Sequence, residues 1–160
     1  METRATLITA LALATCSAIA SADQSAERAT ARAAIESKLH SVEAALARGD
    51  SAEKITRMLY ADNVVITEDA PGSMRGTAAA IKGVQEWLDA LGPGGAKGCK
   101  YGVVEPTVES SETFSSYLSL HCKANPPVLK EDMDLRMIYV WQKLPQGWRV
   151  VLESVQSGKF

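Results

Sequence analysis

The segment Cys99-Lys100-Tyr101-Gly102-Val103-Val104-Glu105-Pro106-Thr107-Val108-Glu109-Ser110-Ser111-Glu112-Thr113-Phe114-Ser115-Ser116-Tyr117-Leu118-Ser119-Leu120-His121-Cys122 reads as two strands folded back on each other. Ser110-Ser111 supplies a two-residue turn, although not the favoured Asn-Gly type. If Glu109 pairs with Glu112, the same register sets Cys99 opposite Cys122. It also sets Tyr101 opposite Leu120 and Val103 opposite Leu118, which makes one apolar face. Lys100 and His121 fall on the other face. In an oxidising compartment the two cysteines form a disulfide; in a reducing one they are two buried thiols.

Downstream, Asp134 to Leu144 and Trp148 to Gln156 make a second hairpin, turned by Pro145-Gln146-Gly147. Pro126-Pro127 and Lys130-Glu131-Asp132 form the connection between the hairpins. Upstream the pattern changes to helices. Ile35, Leu39, Val42 and Leu46 recur at helical steps and predict one long helix over about 25–48. Gly49 ends it, in the left-handed turn that glycine adopts cheaply. Asp50, with Glu53 three positions on, predicts a capping box for a short helix carrying Ile55, Met58 and Leu59. Val64-Val65-Ile66-Thr67 is a strand, because it is β-branched throughout. Glu68 to Gly76 reads as a loop punctuated by Pro71 and Gly72. Thr77 then caps a third helix with the stripe Ile81, Val84, Leu88 and Leu91, which Gly92-Pro93-Gly94-Gly95 terminates.

The first residues differ from all of this. Arg4 precedes the apolar run Leu7-Ile8-Thr9-Ala10-Leu11-Ala12-Leu13-Ala14, and a small-residue stretch closes on Ala20-Ser21-Ala22. A short basic start, a brief apolar run and an Ala-x-Ala exit describe a secretory signal peptide over 1–22, leaving one exported domain over 23–160. The run is too short, and too often broken by Thr and Ser, for a stable membrane span. Leu13-Ala14-Thr15-Cys16 offers an alternative, a lipoprotein anchored through Cys16, with Thr where a smaller residue is usual.

With 160 residues, 46% of them hydrophobic, the chain can bury one real core. A net charge of -2 without long runs of either sign gives no footprint for a phosphate backbone, so nucleic acid is excluded as a natural partner. The two histidines, His40 and His121, lack ligand spacing, so no metal site is expected, and no glycine-rich loop or nucleophile elbow implies a cofactor or an acyl enzyme.

Four further pieces carry a family resemblance: Ala44-Ala45-Leu46-Ala47-Arg48-Gly49-Asp50, Leu59-Tyr60-Ala61-Asp62-Asn63, Arg75-Gly76-Thr77-Ala78-Ala79-Ala80-Ile81, and Gly147-Trp148-Arg149-Val150-Val151. In this order and spacing the chain resembles the nuclear transport factor 2-like superfamily, in the branch of ketosteroid isomerases and SnoaL-like cyclases. The resemblance implies an α+β fold: a cone-shaped, curved mixed β-sheet packed on three N-terminal helices and open to a mainly apolar pocket.

The resemblance also locates candidate residues. Ketosteroid isomerases carry a carboxylate base after the first long strand, and the match here is Glu68-Asp69-Ala70-Pro71-Gly72, with Asp69 nearer and Glu68 next; the plainer reading makes both solvated loop acids. The first-helix tyrosine of those enzymes falls on Val42, and the partner aspartate near Tyr139, so the two-donor oxyanion hole is not evident. The SnoaL-like last-strand histidines fall at Leu152-Glu153-Ser154, where alternation sets Leu152 and Ser154 on one face and Glu153 on the other. Val42, Trp87, Trp141, Leu152 and Ser154 are therefore the expected pocket lining. For large aromatics such as Trp87, Trp141 and Trp148, core filling is the plainer role. Arg136 and Glu153 face each other or the pocket. The leading expectation is an exported domain that binds a small apolar molecule. The alternatives are a proton-shifting isomerase or cyclase using Asp69 or Glu68 with Tyr139, and a homodimeric association module.

Overall fold

The computed structural model describes the backbone of residues 5–69, 72–110 and 112–160, and side chains from residue 25 onward, excluding 70–71, 104–109 and 111. The leader reading over 1–22, with Cys16, thus concerns side chains outside the described residues, as does Ser111 in the expected turn. Among the described residues no helix is long and apolar enough to cross a membrane.

Helix α1 (Ala5–Arg48) lays Ile35, Leu39, Val42 and Leu46 into the core, each buried. Side chains of this size contribute about 1.5–3 kcal/mol apiece on full burial. Gly49, at φ 74°, closes the helix: its amide donates to the Leu46 carbonyl and the Asp50 amide to the Ala45 carbonyl. That is a Schellman end. Helix α2 (Ala52–Leu59) is capped by Ser51, whose side chain accepts from the Lys54 amide, not by Asp50 as expected. Asp50 instead pairs with Arg48 at 2.7 Å and Lys54 at 3.0 Å, so its carboxylate serves two cations rather than the helix end.

Strand β1 (Tyr60–Thr67) leaves α2 directly. The segment expected to be loop then contains a short strand, β2 (Ser73–Arg75), which turns back antiparallel on β1. Three residues give too little alternation for a sequence pattern to register. Helix α3 (Gly76–Leu91) follows with no side-chain cap; Thr77 donates to Asp62 instead, tying the helix to β1.

After a 3-10 turn (Gly95–Gly98) come β3 (Lys100–Ser110), β4 (Thr113–Cys122), β5 (Met133–Leu144) and β6 (Gly147–Ser157). The six strands form one curved, unclosed mixed sheet in the order β2-β1-β6-β5-β4-β3, with β1 and β6 parallel. The fold is α+β, a cone packed on three helices. At its cysteine end the β3–β4 register is the expected one: Tyr101 faces Leu120 and Val103 faces Leu118, and Cys99 and Cys122 are disulfide-bonded. Two irregularities in β3 shift the other end, so that Ser110 pairs with Thr113 and Glu109 does not pair with Glu112. Bulges of this kind add twist, which a sheet bent into a cone requires.

The concave face is apolar: Phe114, Leu118, Met137, Trp141 and Val150 are all buried against the helices. On the convex face Tyr117, Ile138 and Leu152 stand 41%, 37% and 39% exposed, so the outside of the sheet is also partly apolar. His121 shares the outer face with Lys100, as expected, and is half-covered there: its ring contacts Asp134 of β5 at 2.8 Å and Asp132, just before β5, at 3.3 Å.

Candidate functional site

Alternation along β6 would put Val150, Leu152 and Ser154 on one face. The pairing with β5 breaks that phase: Trp141 faces Val150, while the preceding residue Val140 faces Leu152. Val151 is the extra residue of a β-bulge. Val150 still points into the cone, but beyond the bulge the inward positions become Glu153 and Val155. Leu152 turns to the convex face, and Ser154 lines only a shallow outer depression with Arg136 and Ile138. The expectation that Leu152 and Ser154 line the pocket is therefore corrected, and Arg136 lies on the face opposite Glu153. Bulges commonly re-aim a side chain beside a site in this way.

Glu153 is 5% exposed and lies between Ile66 of β1 and Tyr139 of β5, its cross-strand partners. The Tyr60 hydroxyl, from the first residue of β1, donates to its Oε2. The Tyr139 hydroxyl donates to Met137 Sδ at 3.5 Å and stands close to Glu153, Tyr60 and Tyr101, so three phenols from three strands gather around one carboxyl group. Burial pushes the Glu153 carboxyl up to about 7; hydrogen bonds from Tyr60 and Tyr139 work against this, and the Glu68 charge adds to it. Burial, together with the nearby Glu153 charge, raises Tyr60 and Tyr139 above the usual phenol range, so these hydroxyls remain protonated donors.

Tyr101 is itself anchored. Glu43 of α1, buried, accepts from the Tyr101 amide at 2.7 Å and from Lys100 Nζ at 3.3 Å. Burial alone would raise the Glu43 carboxyl, yet the Tyr101 amide and the Lys100 ammonium outweigh it and hold the group below its ordinary value. A fixed anion on α1 thus secures the start of β3.

These groups form one end of a cavity of about 390 Å³. Leu120, Leu135, Met133, Met137 and Val155 of the sheet make its apolar wall, and Val84 and Trp87 of α3 close it. Of the α3 stripe, Leu91 is fully buried, while Ile81, Val84 and Leu88 are half-buried and Val84 faces this hollow. The Trp87 Nε1 is buried with no hydrogen-bond partner among the described residues. Glu68 and Asp69 also line the cavity, at its rim, where both are exposed and Asp69 accepts from the Ser157 amide at 3.0 Å. Of the expected residues, the cavity thus brings together Trp87, Tyr139, Glu68 and Asp69.

It does not include Val42 or Trp141. Both are fully buried in the core, and the Trp141 indole is held by a 2.9 Å hydrogen bond to Ser116. Trp148 packs on Phe114, with ring centroids 4.4 Å apart. Tyr60 and Tyr101 are cavity residues that sequence reasoning missed in this role, while for Glu153 it left open whether the side chain faces Arg136 or the pocket, and Glu153 lines the pocket. A single acid inside the run Val150-Val151-Leu152-Glu153-Ser154-Val155 was the available signal. No group of three or more His, Cys, Asp or Glu among the described residues is arranged to hold a metal ion.

A cone of curved sheet packed on three helices defines the class by its fold. The fold is that of the nuclear transport factor 2-like proteins. A nuclear transport factor 2-like protein of unknown function from Shewanella oneidensis superposes with a TM-score of 0.64 at 13% identity, over 78% of this chain and 98% of its own. One with a cystatin-like fold from Novosphingobium aromaticivorans gives 0.60 at 17% identity, over 87% of each chain. A ketosteroid isomerase-like protein from Erwinia carotovora gives 0.60 at 12% identity, over 80% of this chain and 96% of its own. No protein-family model matches the sequence, and no curated protein matches it.

Proposed function

We propose that this protein binds a small, mainly apolar molecule inside its cone, with one polar group of that molecule held at Glu153. The observation that carries this reading is the cavity of about 390 Å³, apolar along its walls, with Glu153 buried among Tyr60, Tyr101 and Tyr139 inside it and Glu68 and Asp69 exposed at its rim. Concave, largely apolar hollows with a few convergent polar groups are the usual form of small-molecule sites. Gly83 of α3 provides the test. A Cβ built there meets Met74 Sδ at 2.5 Å, and both residues line the cavity. A larger side chain at 83 therefore drives the flexible Met74 thioether into the hollow, while the helix itself gains from losing a glycine. The protein is expected to bind 2-naphthol saturably, read by fluorescence titration, and Gly83→Leu to abolish binding with an unchanged circular dichroism spectrum. Undiminished binding in Gly83→Leu would place the molecule elsewhere and reject the reading.

A second reading is favoured by the same carboxyl group, titrating near neutrality beside phenol donors. Glu153 takes a proton from the carbon next to a carbonyl and returns it further along, while a tyrosine hydroxyl bonds the carbonyl oxygen. This differs from the expectation that Asp69 or Glu68 is the base, since neither is buried. Absorbance of the conjugated product from a β,γ-unsaturated ketone decides it. Turnover no faster with the wild type than with Glu153→Gln rejects catalysis by this group. We also infer that the mature chain is exported, on the support of the leader-like start and the Cys99–Cys122 bond.

A further inference from the structure

The ionisable acids and bases among the described residues lining the cavity are all acids. Three carboxyl groups line it, those of Glu68, Asp69 and Glu153, and among the described lining residues there is no Lys, Arg or His. The groups packed around Glu153 are Tyr60 and Ile66 of β1, Tyr139 of β5, Tyr101 of β3 and, further out, Glu68 at the end of β1; α3 contributes Val84 and Trp87, which do not titrate. A buried carboxylate with phenol donors and no cation beside it lacks the partner that buried charges ordinarily have. The remaining surface is of the kind that accommodates a positive charge. Four aromatic side chains with electron-rich rings, Tyr60, Trp87, Tyr101 and Tyr139, line it, and the Met74, Met133 and Met137 thioethers are polarizable.

We propose that the natural ligand is a hydrophobic amine, a protonated organic cation whose ammonium group sits at Glu153 among the tyrosines while its apolar body fills the Leu135, Met137 and Trp87 side of the cone. This rests on the binding reading above and narrows it to one chemical class. An anionic ligand would meet three like charges. A neutral one would leave the Glu153 charge uncompensated. An ammonium supplies both the charge and several donors to the carboxylate.

Three probes of one shape separate the ideas: 1-naphthylmethylamine, 1-naphthylmethanol and 1-naphthoate, titrated calorimetrically into the wild-type protein at pH 8. The amine is expected to bind at least about tenfold more tightly than the alcohol, in line with hydrogen bonds to charged groups, and the carboxylate not to bind. Lowering the pH to 5.5 should erase the amine's advantage as Glu153 takes up its proton, with the alcohol unaffected. Glu153→Gln should erase it at pH 8 as well. If the alcohol matches or exceeds the amine, the charge inference is wrong and the apolar cavity stands. If the amine preference survives in Glu153→Gln and vanishes in Glu68→Gln/Asp69→Asn, the ammonium sits at the rim and the assignment to Glu153 is wrong. Should none of the three bind, the cavity reading falls and takes this one with it.

Discussion

Glutamine at position 153 is expected to stabilise the protein against unfolding at pH 8 by roughly 3 kcal/mol more than it does at pH 4.5. The carboxyl group titrates at about 7 in the folded protein and near 4.5 when exposed, and burial is the main cause of the difference. Between those values the folded state holds a proton that the unfolded chain releases. The contribution to stability is therefore complete below pH 4.5 and is lost as the pH rises through 7, at about 1.4 kcal/mol per unit. Glutamine resembles the protonated acid in shape and cannot ionise, so the variant escapes the loss. Other titrating groups act alike in both proteins and cancel in the comparison. Urea unfolding of both at the two pH values measures it, and a variant-minus-wild-type difference that stays constant within about 0.5 kcal/mol would show Glu153 to be solvated. An acid that destabilises its own fold at neutral pH is the signature of a residue kept for a site rather than for packing.

Loss of the Cys99–Cys122 bond is the second large effect. The bond closes a loop across a separation of 23 residues, and both cysteines are buried. Removing such a crosslink frees the unfolded chain by about 3 kcal/mol on the chain-entropy account. For a domain of this size that lowers the unfolding midpoint by roughly 10 °C. The Cys99→Ala/Cys122→Ala variant is expected to show this drop in a thermal scan, and a midpoint within about 2 °C of the wild type contradicts it. The effect should reach the site, because Tyr101 is two residues from Cys99 and the bond pins that end of β3 to β4. The same chemistry tests export: protein recovered from an oxidising compartment should yield no free thiol at Cys99 or Cys122 when unfolded without reductant.

Much of the architecture was legible because it follows local periodicity. The stripe Ile35, Leu39, Val42, Leu46 could bury only one helix face, and all four side chains are buried. Gly49 marked a left-handed turn that other residues reach only at a cost. The spacing of Cys99, Tyr101 and Val103 against Leu118, Leu120 and Cys122 defined a register, because a slip of one residue would have turned an apolar face to water. Caps were less legible. Asp50 and Ser51 are both good capping residues, and the choice went to Ser51 because Arg48 and Lys54 engage the Asp50 carboxylate.

The candidate site was hidden by one residue. Strand alternation is a strict rule only while the ladder is unbroken, and Val151 breaks it, so Glu153 enters the cone and Leu152 leaves it. The lone acid among residues 150–155 marked Glu153 as a candidate without saying which phase the strand takes, since the bulge is set by how β6 meets β1 on one side and β5 on the other. Tyr60 likewise reads as the end of a helix and becomes a site residue only because β1 runs parallel to β6. By itself the sequence determined the helices, the long strands and the crosslinked hairpin, because those depend on patterns within a few residues of each other, while the fold they build was implied by the family resemblance. The tertiary structure alone decided which carboxyl group is buried and which phenols surround it, because those groups lie far apart in the chain and meet only when the sheet curves.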